Sequence, residues 1–202
     1  MDEAVTDGRS AQMKIVDLTP EDQDLIEQVA TLLRECFAHI PDWMPTFDDA
    51  LAEVRETFGP RRISRVAVDD DGRAVGWIGG NEQYEGHVYE LHPLAVKPEF
   101  QRRGVGTALV RDFEEQVRQR GAMTVILGSD DDFGGTTLYG ADVYPDIWQH
   151  IAAIRNVANH PYEFYQKCGY AIVGLIPDAN GFGKPDILMA KRVGKIEEQQ
   201  ER

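Results

Sequence analysis

Apolar residues recur every three or four positions through Leu25, Ile26, Val29, Leu32, Leu33 and Cys36, the spacing of a helix that buries one face. Thr19-Pro20-Glu21-Asp22 ahead of it predicts the helix start: threonine as cap, proline at the first helical position, acids at the positive end of the dipole. Before that, Met13 to Leu18 alternates as a short strand. A break at Pro41-Asp42-Trp43-Met44-Pro45 leads to a second expected helix from about Phe47 to Thr57. Ile63–Val68, the turn Asp69-Asp70-Asp71-Gly72 and Ala74–Gly80 read as a hairpin, and Val88–Val96 as the next strand. A helix is expected from Gly104 to about Arg120, then a strand from Met123 to Leu127. Residues 129–160 are the least legible: an acidic start, a Gly-Gly-Thr-Thr stretch, then a helix around Ile147 to Val157. Pro161–Cys168 is expected to be helical, followed by strands at Ala171–Leu175 and Ile187–Lys191. This order, β-α-α-β-β-β-α-β-α-α-β-β, predicts a single α/β domain over residues 13–193, with a mixed sheet and helices on both faces. Residues 1–12 and 194–202 are polar and aperiodic, and are expected to be a flexible extension and tail.

Charge narrows the partners. Of 202 residues, 35 are Asp or Glu and 21 Lys or Arg, giving a net charge of −14. Nucleic acid needs a basic surface, so it is excluded as a partner. An acidic cleft would instead concentrate a cationic amine; charge alone leaves open whether the acids merely keep the protein in solution. No apolar stretch approaches the length needed to span a bilayer, and Met1-Asp2-Glu3-Ala4 lacks the basic flank of a secretory signal. Cys36 and Cys168 are far apart and in no metal-ligand spacing. They are expected to be buried free thiols in a reducing, cytoplasmic compartment, and no metal is expected.

The most informative segment is Leu94-Ala95-Val96-Lys97-Pro98-Glu99-Phe100-Gln101-Arg102-Arg103-Gly104-Val105-Gly106-Thr107. A strand runs out at a proline, a basic glycine-containing turn follows, and an amphipathic helix starts at once. Helix N-termini present N–H groups and partial positive charge to phosphates. Gly104 and Gly106 leave the backbone uncovered there, and Arg102 and Arg103 add charge. A Walker loop needs a Gly-Lys-Ser/Thr ending and a dinucleotide fingerprint needs three glycines; neither is present.

This segment resembles the pyrophosphate-binding motif of the GCN5-related N-acetyltransferases, Q/R-x-x-G-x-G/A. Phe164-Tyr165-Gln166-Lys167-Cys168-Gly169-Tyr170 is similar to that family's closing F-Y-x-K-x-G-F/Y element. Four further runs (Tyr89–Leu94, Leu127–Asp131, His160–Tyr165 and Gly174–Gly181) resemble the chromosomal aminoglycoside 6'-N-acetyltransferases within it. The resemblance covers about residues 13–193 and implies a GNAT fold with a mostly antiparallel sheet. It implies acetyl-CoA as cosubstrate and a cationic small-molecule amine, an aminoglycoside or polyamine, as acceptor. It also implies homodimers, with which the apolar residues Tyr139, Tyr144, Ile147, Trp148 and Ile151 are compatible; a lid or ordinary core fits them equally.

Carried over residue by residue, the resemblance gives the Leu94 amide the thioester oxygen, and Ala95 and Val96 the pantetheine arm. Gln101, Arg102, Arg103, Gly104, Val105, Gly106 and Thr107 would hold the pyrophosphate, and Asn159 would contact the cofactor's amides. Glu90 is the candidate base, because a charge between Tyr89 and Leu91 in an apolar strand is costly unless it faces a cleft. His92, two residues on, shares its face and could relay the proton or serve only structure. Tyr165 falls where the family carries its general acid. Asp130, Asp131 and Asp132 follow a strand at the sheet end where ligands gather in α/β sheets, and Asp130 and Asp131 with Glu90 are candidates for holding the acceptor. Trp43 or Tyr84 would pack on a sugar ring. Acetylation of a protein N-terminus, a lysine or a small polyamine is the alternative activity. A silent acetyl-CoA sensor is disfavoured by Glu90 and Tyr165.

Overall fold

The computed structural model describes residues 13–38 and 46–194. Its strands are β1 (Lys14–Asp17), β2 (Arg62–Val68), β3 (Ala74–Gln83), β4 (Val88–Val96), β5 (Thr124–Asp130), β6 (Ala171–Ile176) and β7 (Asp186–Arg192). The helices are α1 (Gln23–Cys36), α2 (Phe47–Glu56), α3 (Val105–Gln119), α4 (Ile147–Ala152) and α5 (Tyr162–Lys167). Chain order matches the expected alternation throughout. The strands form one mixed sheet in the order β1-β2-β3-β4-β5-β7-β6. It is antiparallel except at β4 and β5, which run parallel because α3 carries the chain back between them.

Two compact units make up the chain: residues through Gly79 with Pro93–Asp112, and Gly80–His92 with the residues from Phe113 on. In the first, Ile26, Val29, Leu32 and Leu33 of α1 meet Val54 of α2, Val66 of β2 and Trp77 of β3, all essentially without exposure. Each such apolar side chain contributes roughly 1.5–3 kcal/mol on burial. The Trp77 indole donates to Ser64 Oγ at 3.0 Å, so its one polar atom is satisfied. Arg65 on β2 holds α3 by a two-pronged contact to Asp112, with Nε–Oδ2 at 2.6 Å and Nη2–Oδ1 at 3.0 Å. In the second unit Phe113, Val117, Val125, Leu138, Ile187 and Met189 form the buried centre.

Three boundaries differ from the sequence expectation. Thr19 does not cap α1: its amide and hydroxyl both donate to the Asp22 carboxylate, and the helix begins at Gln23. Strand β5 runs on to Asp130, because β7 pairs with it through Asp130↔Asp186. Helix α4 ends at Ala152 instead of near Val157, because residues 155–158 spend their backbone groups on the glycine-threonine stretch. There Thr137 N donates to Arg155 O at 3.0 Å and Val157 N to Gly135 O at 2.8 Å. Neither cysteine is in a disulfide and both are only half buried, against the expectation of full burial; Cys36 Sγ lies 3.3 Å from Val96 O. The expected break at 41–45, and most of both terminal segments, lie outside the described residues.

Candidate functional site

Within the first unit, β4 hands the chain to α3 through a tight, basic loop. Pro98–Phe100 makes one 3-10 turn, and Gln101 Nε2 reaches back to Val96 O at 3.0 Å, closing the loop on the strand end. Arg102 and Gly104 then take positive φ, +57° and +88°. Consecutive turns of this kind aim successive amides at one point, the geometry that cradles anions. Gly104 is there for conformation, since a side chain on it would meet nothing within 4 Å. The first intrahelical bond of α3 is Ala108 N to Gly104 O at 2.9 Å, so the amides of Val105, Gly106 and Thr107 belong to the turn that a helix cannot pair itself. Arg102 and Arg103 are exposed beside them, Arg103 over the Phe100 ring at 5.6 Å. Close packing fixes the loop in place. A side chain on Gly76 of β3 would stand 2.9 Å from Leu109 and 3.1 Å from Val105 of α3. These residues fit a pyrophosphate.

In the second unit, β4 and β5 pair only from Val88↔Thr124 to Glu90↔Ile126. Past Glu90 the two strands no longer pair, and His92, Leu94, Ala95 and Val96 lie on β4 beyond that point. Glu90 is therefore the last residue of β4 that is paired with β5. Its Oε2 accepts from Gln83 Nε2 at 3.2 Å and Asn81 Nδ2 at 3.4 Å, so the partly buried carboxylate is held by two amides. His92 is exposed on the same strand face.

Asp186 is a candidate site residue that sequence reasoning missed. It stands opposite Asp130 across the β5–β7 ladder, where two like charges destabilise each other. Its Oδ1 is buried and accepts no hydrogen bond among the described residues. Burial, and then the Asp130 charge, push its carboxyl up to about 6; Glu90 raises it further and His92 opposes. Gly128 has no side chain because one would overlap the Asp186 carboxylate. The clue was available in Lys184-Pro185-Asp186, an acid opening a strand, but only pairing places it against Asp130. Asn180 Nδ2 donates to exposed Asp130 at 2.5 Å.

Asp131, the other aspartate expected to hold the acceptor, lies just past the end of β5. It is fully buried, and its carboxylate accepts from Gly135 N (2.7 Å), Thr136 N (2.8 Å) and Thr136 Oγ1 (2.7 Å). Asp130, at the end of β5, is exposed, whereas Asp131, one residue past the strand, turns inward and pins the following loop. Tyr84 is exposed in a left-handed turn with φ +48°. Trp43 lies outside the described residues. Asn159 is exposed with φ +58°, and the structural work beside it falls to Asn156, whose side chain brackets His160 N and O at 2.8 Å each.

His160 is buried, which holds its imidazole below the ordinary range and hence neutral. Its Nδ1 accepts from Tyr162 N at 3.2 Å, so Nε2 carries the proton and donates to Asp130 O at 3.0 Å. One ring thus ties the end of β5 to the start of α5. Tyr165, on α5, is flanked by the Phe164 ring at 5.1 Å and the Tyr170 ring at 5.9 Å, and burial raises its phenol above the ordinary range. It is a neutral donor. Among the described residues, no group of three or more His, Cys, Asp or Glu could hold a metal ion.

The profile of the acetyltransferase (GNAT) family matches residues 26–137. The chain belongs to that family. A crystal structure of an aminoglycoside 6'-N-acetyltransferase complexed with coenzyme A is 40% identical, covering 92% of this chain and 99% of that one, with a TM-score of 0.84. The aminoglycoside 6'-N-acetyltransferase from Enterococcus faecium is similar at 40% identity over the same shares, with a TM-score of 0.83. An acetyltransferase of Photorhabdus laumondii is 32% identical over 105 residues, 52% of this chain and 68% of that protein. This GNAT acetyltransferase is a single α/β domain, and none of its described helices is long and apolar enough to cross a membrane.

Proposed function

We propose that this acetyltransferase moves the acetyl group of acetyl-CoA to the 6'-amine of an aminoglycoside. The observation that carries the acceptor class is the carboxylate group at the end of the β4–β5 pairing. Glu90 is steered there by two amides, and Asp186 with an unsatisfied buried oxygen stands against Asp130. Carboxylates held in mutual repulsion favour a ligand with several ammonium groups. The similarity to aminoglycoside 6'-N-acetyltransferases over most of both chains supports the same acceptor.

In this reading the amides of Arg103 to Thr107 take the pyrophosphate, with Gln101 and Arg102 shaping the loop. Ala95 and Val96 pair with the pantetheine arm, and the Leu94 amide takes the thioester oxygen. Glu90 accepts the proton of the acceptor ammonium, directly or through water, with His92 able to relay it. The freed amine nitrogen then attacks the carbonyl carbon and the C–S bond breaks. Tyr165 gives its hydroxyl proton to the departing thiolate, which leaves as the thiol, and regains one through solvent as the attacking nitrogen sheds its remaining extra proton to become the amide. Exposed Tyr84, with Trp43, would stack on the acceptor, and Asn159 would contact the cofactor. Exposed Tyr139, Tyr144 and Trp148 support pairing of two chains, which light scattering would test.

A thiol-release assay across aminoglycosides, spermidine and lysine peptides tests the acceptor. The expected result is a kcat/KM for aminoglycosides at least a hundredfold above the others. A higher value for spermidine or a peptide would replace the acceptor and leave the chemistry standing.

A further inference from the structure

Buried Glu114 and partly exposed Lys191 form an ion pair that no step above uses. Glu114 lies on α3 with its side chain only 6% exposed, and both its oxygens accept from Lys191 Nζ, at 2.8 and 2.7 Å. The third bond of the ammonium goes to the carbonyl oxygen of Cys168 at 2.8 Å, so three donors meet three acceptors. A pair taken out of water in this way is weak evidence for stability, since apolar residues of the same shape can serve as well. What it provides is a fixed position for the carbonyl at the end of α5.

That position matters because α5 has six residues and cannot hold its own geometry. Cys168 is the residue that ends it. Gly169 follows at φ +93°, and a side chain there would come within 3.4 Å of Lys191 Cε. Tyr170 N then donates back to Tyr165 O at 3.0 Å, and the Tyr170 ring meets that of Tyr165 edge-on. Lys191 Nζ sits 5.7 Å from the centre of the same Tyr170 ring. Tyr165 is thus connected to the ammonium along the backbone and through a ring.

We propose that Lys191, clamped by Glu114, is a positioning residue for acetyl transfer, fixing the end of α5 and with it the direction of the Tyr165 hydroxyl. This rests on the reading of Tyr165 as the donor to the leaving thiolate. Misplacing a reacting group by about 1 Å can cost up to about a hundredfold in rate. Loss of the tether while the rings remain should cost about tenfold.

The test is steady-state kinetics of the full chain with Lys191→Met, made both alone and in a Tyr165→Phe background. Expected alone is a kcat about tenfold lower with the KM for acetyl-CoA within twofold of the starting protein. Expected in the Tyr165→Phe background is a further change below twofold, because the tether acts through the hydroxyl already removed. Lys191→Arg, which keeps a cation between Glu114 and the carbonyl, should recover most of the loss. Should Lys191→Met melt below the assay temperature, Glu114→Gln/Lys191→Met removes the lone buried charge and enters the same cycle with the same expectation. Equal losses in both backgrounds, or no recovery with arginine, would overturn the positioning role and leave Tyr165 as donor. An unchanged kcat for Tyr165→Phe alone would overturn both.

Discussion

Replacing Asp131 separates a binding carboxylate from a structural one. Its carboxylate accepts three hydrogen bonds at 2.7–2.8 Å, two from backbone amides, and it is fully buried. Hydrogen bonds to a charged group contribute roughly 1.5–3 kcal/mol each, and an amide left buried without a partner costs about 1–3 kcal/mol. Loop relaxation and entering water recover part of that total. Asp131→Ala should therefore lower unfolding free energy by about 3–5 kcal/mol, a large share of the roughly 5–15 kcal/mol typical of a domain. Asp131→Asn keeps one acceptor but turns an NH2 toward a donor, and should cost about 2–3 kcal/mol. Urea denaturation followed by circular dichroism measures the loss, and thiol release gives the acceptor KM for whatever remains folded. That KM should stay within about threefold of the parent value. An Asp131→Asn protein as stable as its parent, with an acceptor KM raised tenfold, would refute the structural assignment and restore Asp131 as a binding residue.

Other consequences are as direct. Glu90→Gln should lower kcat by about a hundredfold or more in a thiol-release assay, the scale of a lost general base. Asp186 has a folded value near 6 against an ordinary 3.8. The folded state therefore binds the extra proton between about pH 4 and 6, and stability falls as pH rises through that window. Asp186→Asn should remove this slope from urea midpoints measured at pH 4.5 and 7. In the parent protein at pH 6, binding a polycationic acceptor should release a proton from Asp186, which titration calorimetry in buffers of different ionisation enthalpy would detect. A side chain on Gly80 would meet Glu90 O and the Phe113 ring at 2.5 Å, so Gly80→Ala should lose about 1–3 kcal/mol by crowding, read from its melting curve. Gly104→Ala meets no neighbour but must hold φ +88°, at a cost of about 1–2 kcal/mol, and should weaken coenzyme A about tenfold in a direct titration.

Local order was legible wherever one face of an element is buried. The Leu25–Cys36 period, the alternation of β4 and the glycine turn before α3 each follow from chemistry within a dozen residues. The same holds for the candidacy of Glu90, a charge in an apolar strand, and of the amides between Arg103 and Thr107. Thr19 was misassigned because it and Asp22 compete for one turn, and the carboxylate accepts both available donors. Helix α4 came out short because residues 135–137 claim the backbone that would have continued it. Those rivals are near or far in sequence, but only the folded chain decides between them.

Identity, alternation and turn chemistry are local properties, so the sequence by itself determined the order of elements, the loop suited to a pyrophosphate, and the residue types for acid and base work. Which of two adjacent aspartates faces outward, that Asp186 confronts Asp130, and that Lys191 reaches the end of α5 were decided by tertiary structure. The last two depend on strands or helices brought together from roughly 20 to 80 residues apart, a pairing that sheet register fixes and no short stretch of sequence encodes.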